Sequence, residues 1–427
     1  MVESPYDVIV IGGGPGGATA ATLVAQAGHR VLLLERSENP RFKIGESLMP
    51  ATYETFERLG VLPKLKASHF PRKYSVQFYS KSGRASAPFY FSETDPAESS
   101  QTWQVLRSEF DALLLDNARE HGVEVRRGGA VRDVLFDGER AVGVRAELNG
   151  DGPREIGCRV VVDASGQSAI LGRKLGLRQH DPDLKKVAIF SHFKGALRDP
   201  GLDEGATLVI YGRDGVSWFW YIPLPEDKVS VGIVGAIDSL IADRPGDPQA
   251  ILEEEIAHCV EIKRRVAGAH QLFPAQVTRD FSYHSSRIAG DGWVLVGDAF
   301  GFLDPIYSSG VFLALKSGEL AADSVNDALA ADEVTSARLG AHGPRFMAGM
   351  QAMRKLVYAF YEPEFSFSKF LKRFPDCRLD IIHLLTGNVS HSTDGLFEAM
   401  GQMVRLPEEA RLEAAPAPVA AKLEGAA

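Results

Sequence analysis

Val8-Ile9-Val10-Ile11-Gly12-Gly13-Gly14-Pro15-Gly16-Gly17 decides the fold of this chain. A β-branched run stops at a glycine turn, an apolar-periodic stretch from about Ala18 to Gln26 follows, and Val31 to Leu34 reads as a second strand. That order is a βαβ unit. Gly12, Gly14 and Gly17 satisfy the GxGxxG pattern, with Pro15 and Gly16 completing the turn. Glycines there allow a tight turn, backbone approach to a pyrophosphate and close packing of helix on strand, while the helix N-terminus favours phosphate charge. Glu35 closes the second strand, where an acid reaches the ribose of a bound dinucleotide, and Arg36 follows it.

The rest of the composition bounds the answer. At 427 residues the chain predicts two or three packed units sharing a cleft. A hydrophobic fraction of 45% and a charged fraction of 24% are ordinary for a globular protein, and a net charge of -9 gives no basic footprint for nucleic acid. Cys158, Cys259 and Cys377 lack the paired spacing of a metal or redox motif, so no metal is expected and the thiols suit a reducing cytoplasm. No window approaches the ~20 apolar residues of a membrane span.

Further along, strand-like groups at Val123 to Val125, Val131 to Leu135, Val142 to Ala146 and Arg159 to Val162 extend the first sheet after a helix around Phe110 to Glu120. Residues 187–236 read mostly as longer strands, a large antiparallel sheet facing a substrate. Trp293 to Val296, Gly297-Asp298-Ala299 and a helix from about Ser309 to Leu329 return to the first pattern, so the nucleotide fold is discontinuous in sequence. Beyond Arg345 the chain reads as helical and rich in aromatics, fit for core packing or for a lid. The boundaries expected are 1–186 for the first part of the nucleotide domain with inserted substrate-side segments, 187–280 for the sheet, 281–345 for the return, 346–406 for the helical region and 407–427 for a mobile tail.

Several motifs carry chemistry. Arg107-Ser-Glu-Phe-Asp-Ala-Leu-Leu, Asp163-Ala-Ser-Gly166 and Gly297-Asp298-Ala299 resemble, in order, the FAD-contacting elements of flavoprotein monooxygenases. Lys43-Ile44-Gly45-Glu46-Ser47 adds a GES element after the acidic strand, and Ser47 is expected beside the flavin ring. Trp218-Phe219-Trp220-Tyr221-Ile222-Pro223 is a WxWxIP signature whose two indoles share one face of a strand. Phe302-Leu303-Asp304-Pro305-Ile306-Tyr307-Ser308-Ser309-Gly310 matches FxxPxxSxG. Phe70-Pro71-Arg72-Lys73 presents a lysine that, taken alone, reads as a solvated surface group.

With these motifs the chain, from residue 5 to about 400, resembles the flavin-dependent halogenases, nearest to members acting on phenols or pyrroles, often on a carrier protein. The resemblance implies an α/β protein with a Rossmann-like FAD-binding fold of the para-hydroxybenzoate hydroxylase type, a large mostly antiparallel substrate-side sheet and a helical C-terminal region. It implies FAD, taken up as FADH2 from a separate flavin reductase, and chloride or bromide. Gly12, Gly14, Pro15, Gly16, Gly17, Glu35, Arg36, Ser47, Arg107 and Asp298 hold the cofactor in this reading. The backbone of Ser309 and Gly310 holds the halide, and Trp218, Trp220 and Pro223 separate flavin from substrate. Hypohalous acid then reaches Lys73, with Ser308 assisting, and Lys73 aims it at an electron-rich aromatic ring. An ammonium hydrogen-bonding the acid and a neutral amine forming a haloamine both suit the task. The resemblance further implies a cytoplasmic enzyme of secondary metabolism, such as antibiotic biosynthesis.

Two departures stand out. Tryptophan halogenases carry a glutamate where this chain has Tyr307, which argues against free tryptophan as substrate. Phenol and pyrrole members commonly read GDAACF where this chain reads Gly297-Asp298-Ala299-Phe300-Gly301-Phe302. A flavin monooxygenase inserting oxygen, or a reductase of isoprenoid double bonds, shares the Gly12 and Asp298 elements and is the competing reading.

Overall fold

In the computed structural model, which describes residues 6–38, 42–148, 151–242, 244, 246–279, 281–389, 391–409 and 412–413, the strand Tyr6–Ile11 lies at the centre of the first sheet. It pairs in parallel with Val31–Glu35 on one side and with the second half of Asp151–Asp163 on the other; Glu124–Arg127 and Trp293–Leu295 continue the parallel order outward. Val8, Ile9 and Val10 are wholly buried, which is why this strand is an unbroken apolar run and not an alternating one. Asp151–Asp163 belongs to two arrangements. Its first half pairs antiparallel with Arg140–Leu148, which in turn pairs with Gly129–Asp137.

The first helix spans Pro15–Gln26 and so begins three residues ahead of the apolar-periodic stretch that announces it. Proline is preorganised for the first helical position, so the turn glycines Gly16 and Gly17 enter the helix. The helix Ser309–Ala330 packs against it. Small residues set that approach: a Cβ at Gly16 would meet the Ala314 carbonyl oxygen at 2.8 Å, and one at Gly318 would meet the Gly16 carbonyl oxygen at 2.5 Å.

The second sheet runs in the order His270–Gln271, Lys186–Lys194, Lys228–Ala236, Trp218–Leu224, Thr207–Tyr211, Ser75–Tyr79, Phe89–Tyr90, with Gln276–Arg279 also on Lys186–Lys194. All pairings are antiparallel except that of Thr207–Tyr211 with Ser75–Tyr79. Alternation along the strands separates two cores. Ala188, Phe190, Val209, Trp218, Trp220 and Ile222 face the nucleotide sheet, whereas Ile189, Leu208, Ile210, Phe219 and Tyr221 face the helices Pro248–His258 and Val260–Arg265.

The aromatic C-terminal region folds into the helices Gly343–Tyr361, Phe367–Arg373, Arg378–Thr386 and Asp394–Gly401. Phe360 stacks on Tyr211 and meets Trp218 edge-on, and Phe367 packs on Phe78. Of the tail expected to be mobile, 410–411 and 414–427 lie outside the described residues. The described part is attached: the Glu413 amide donates to the Ser286 carbonyl at 2.8 Å, and Arg354 donates to the Glu408 carbonyl. Among the described residues no helix is long and apolar enough to cross a membrane.

Candidate active site

A cavity of about 750 Å³ runs between the two sheets, large within the ~300–1,000 Å³ range of small-molecule sites. Gly12, Gly14, Pro15, Gly16 and Gly17 line one end, with Glu35 and Arg36 beside them. Gly12 sits at φ +102, and a Cβ on Gly17 would come within 2.0 Å of the Gly12 carbonyl oxygen, so both positions require glycine for the turn itself. Gly14 differs. A Cβ there would meet nothing within 4 Å, so the missing side chain leaves an open cradle in front of a helix that no side chain caps. Glu35 accepts from the Gly13 amide at 2.8 Å and from the Ser37 amide at 2.9 Å. Burial works against its charge, yet these two donors prevail and hold the carboxyl below its ordinary range. Arg36 reaches Ser168 at 3.3 Å across the mouth.

Midway along, Arg107, Asp298 and Ser47 join the wall. Arg107 binds the Asp111 carboxylate at 2.9 and 3.0 Å and the Ile44 carbonyl at 2.6 Å, which pins the GES loop against its helix. Asp298 faces the cavity. Burial lifts its carboxyl to about 6, against the pull of Arg107 and Lys43. An acid here suits a hydroxyl-rich chain, the glycine cradle suits a pyrophosphate and Glu35 suits a ribose, so these residues fit FAD.

The far end is built by the second sheet and the FxxPxxSxG segment. Trp218 and Trp220 line it with ring centroids 6.3 Å apart. Trp220 donates to Ser230 at 3.0 Å and occupies the space a side chain at Gly232 would need: a Cβ there would lie 2.2 Å from the indole. Pro223 departs from its expected place. It falls on the other face of its strand, with Phe219 and Tyr221, and Ile222 takes the wall position, because successive strand residues alternate. Ser308 and Gly310 line this end, while the Ser309 side chain is buried behind it. Ser308 holds φ +57, strained for a residue with a side chain, and no side chain caps the helix that begins at Ser309. The N–H groups at the start of this 22-residue helix are left without a side-chain cap, a polarity that favours negative charge.

Lys73 is not a surface lysine. The ladder of Arg72–Lys73 with Thr102–Trp103 turns Arg72 outward and Lys73 inward, where it is 1% exposed. Its Nζ donates to Ser47 Oγ at 2.9 Å and the Leu48 carbonyl at 3.0 Å and lies 5.6 Å from the Phe91 ring centroid. Desolvation alone brings the amine down to about 7. Lys73 is thus behind the wall, and Ser47 is the residue that touches both it and the cavity.

Three groups have contacts to which the sequence reading assigned no role. Glu46 and His192, both buried, face each other at 2.8 Å beside the cavity. Asp304 accepts from Tyr361 at 3.0 Å, and Tyr361 accepts from the Trp218 indole at 2.9 Å. Burial raises Asp304 to about 7 despite the Ile306 amide, the Tyr361 hydroxyl and Lys186. Thr207 and Gln104 stand next to Ser47. Glu46 and Asp304 had a signal, each lying inside a quoted motif; Thr207, Gln104 and His192 belong to no pattern and come from segments distant in sequence.

Fold and cavity together define an FAD-binding flavoprotein whose cavity is walled at its far end by two tryptophans. A model of the FAD binding domain matches residues 5–319. A 1H-pyrrole-2-carbonyl-(peptidyl-carrier protein) chlorinase of Pseudomonas fluorescens is 32% identical over 415 residues, covering 91% of this chain and 90% of that one. The corresponding brominase of Pseudoalteromonas luteoviolacea is 34% identical, covering 90% and 92%. Among solved structures, the myxobacterial chondrochloren halogenase superposes with a TM-score of 0.79 at 34% identity, covering 92% of each chain. The chain belongs to the flavin-dependent halogenases: it is an oxidoreductase of the FAD-binding fold that uses FAD and a halide, chloride or bromide. Its relatives do not favour the competing oxygenase and isoprenoid reductase readings.

Proposed function

We propose that this enzyme halogenates a phenol or a pyrrole, free or held on a carrier protein, in the cytoplasm, with Lys73 aiming the halogen. The observation that carries the reading is the burial of Lys73 behind the cavity wall, with an amine brought to about 7 by desolvation and only neutral partners. Such an amine changes protonation state near neutral pH and can hold hypohalous acid, or take up its halogen, out of reach of water. The names of the chlorinase and brominase relatives support the pyrrole and the carrier.

Gly12 to Gly17, Glu35, Arg36, Ser47, Arg107 and Asp298 would hold FAD, and a separate flavin reductase would deliver it reduced. Bound there, reduced FAD supplies hypohalous acid from oxygen and halide. The amides of Ser309 and Gly310 hold the halide at the helix start, and Ser308 orients the loop that presents them. Trp218 and Trp220 keep the aromatic substrate from the ring end of the cavity, which excludes direct hydroxylation. Lys73 then presents the halogen to one ring carbon, and the displaced proton leaves through neighbouring polar groups.

The test supplies purified protein with reduced FAD, oxygen, chloride or bromide and a panel of phenols and pyrroles, free and carrier-loaded. A product mass bearing the halogen isotope pattern is the expected result. Hydroxylated products without halogen would overturn the proposal.

A further inference from the structure

We propose that Gln104 and Thr207 are positioning residues that act through Ser47 as a hydrogen-bond chain, setting the protonation state of Lys73, whose proton Ser47 passes to the cavity. The inference rests on the role given to Lys73 above. Donor chemistry fixes its first link and allows the second. Gln104 Nε2 lies 2.8 Å from the Gly205 carbonyl oxygen, which can only accept, so the amide nitrogen and not the oxygen must face it. That nitrogen also reaches Thr207 Oγ1 at 2.9 Å, so Thr207 accepts there. Thr207 is then free to donate its own hydrogen to Ser47 Oγ, 2.8 Å away. A backbone bridge between Ser47 and Gln104 holds the two ends of the chain together.

In the proposed chain Ser47 Oγ receives one hydrogen bond from Thr207, and Lys73 Nζ lies 2.9 Å from it. When Lys73 is an ammonium, it fills the second lone pair of Ser47, and the serine hydrogen points to the cavity that Ser47 lines. When Lys73 is a neutral amine, the serine hydrogen turns to its lone pair. Transfer balances: the ammonium gives a proton to Ser47 Oγ while Ser47 gives its own to water in the cavity, leaving a neutral amine and hydronium. Because Thr207 already donates to Ser47, the serine is a stronger donor and a poorer acceptor, so the intact chain favours the neutral amine.

Charged groups on the packed elements turn elsewhere. Arg72 of the same short strand pairs with Glu98 at 4.0 Å, Glu93 pairs with Arg378, Glu46 faces His192, and Asp203 accepts from Tyr90 and Ser75. What faces the amine is the Phe91 ring, the Ser47 hydroxyl and the Leu48 carbonyl, with Thr102 its ladder partner.

The test follows the Lys73 side chain in the FAD-loaded protein by NMR of lysine labelled with carbon-13 at Cε, its resonance assigned by absence in Lys73→Met. Thr207→Val removes the hydroxyl at nearly constant volume and is expected to raise the Lys73 midpoint by roughly half a pH unit or more. The pH profile of halogenation should move with it, while Thr207→Ser, which keeps the hydroxyl, retains the native midpoint. Gln104→Leu is the second variant should Thr207→Val fold poorly, and it is expected to shift in the same direction. An unchanged midpoint in a folded Thr207→Val or Gln104→Leu protein overturns the chain. Normal halogenation by Lys73→Met would instead overturn the role of Lys73, and the NMR titration reads the chain independently of that result.

Discussion

Lys73 Nζ lies 2.9 Å from Ser47 Oγ, and Ser47 stands on the wall of the cavity that begins at Gly14. One hydroxyl thus separates a buried amine from the space that fits the cofactor. Ser47 is the contact between the two sides.

Lys73→Met keeps the bulk of the side chain and deletes the amine. Halogenation should fall by on the order of 10²–10⁴-fold. Oxidation of reduced FAD by oxygen should continue, since Lys73 is not among the residues lining the cavity. Parallel assays of product halogen and flavin absorbance check both halves; equal loss of the two would place Lys73 in flavin chemistry instead.

Gly14→Val and Gly17→Val should separate binding from folding. At Gly14 the added side chain enters open space and leaves the helix intact, so melting of the FAD-free protein should change little while FAD affinity drops steeply. At Gly17 it strikes the Gly12 carbonyl, and both stability and affinity should fall. Flavin occupancy and thermal melting, measured side by side, distinguish the outcomes.

Asp304 ties the indole wall to pH. Its carboxyl is raised to about 7, above its unfolded value, so the native state binds the extra proton between about pH 4 and 7. Its contribution to stability is therefore fully present below that window and lost as pH rises through it. Asp304→Asn removes the charge and should stabilise the protein at pH 8 by on the order of 3 kcal/mol, with little effect at pH 4. Melting curves at the two pH values test the sign.

Ser308→Gly relieves the positive φ at the start of the long helix and should raise stability by about 0.5–1 kcal/mol. Turnover should fall, because glycine frees the loop that presents the Ser309 and Gly310 amides. Higher melting temperature with unchanged halogenation would show that this strained turn has no part in catalysis.

The nucleotide half was legible because its demands are local. Gly12 and Gly17 are fixed by a turn that few residues can make, and Glu35 by the end of an adjacent strand, so spacing along the chain reports spacing in space. The indole wall was half legible. Strand alternation puts Trp218 and Trp220 together, and the same alternation removes Pro223, which the motif had carried along with them. The start of the first helix was misplaced because apolar periodicity is silent over Pro15, Gly16 and Gly17, although proline itself marks a first helical turn.

The sequence by itself determined the cofactor fold and the family, and pointed to Lys73. Only the tertiary structure decided that Lys73 is buried, that its amine is brought to about 7, and that Ser47, Thr207 and Gln104 are its neighbours. A lysine's ionisation depends on the water removed from around it, and that removal is done by Phe91, Leu48 and Thr102, residues remote in the chain from Lys73 or across a ladder from it. Desolvation is a property of the packed surroundings, and no pattern along the chain encodes it.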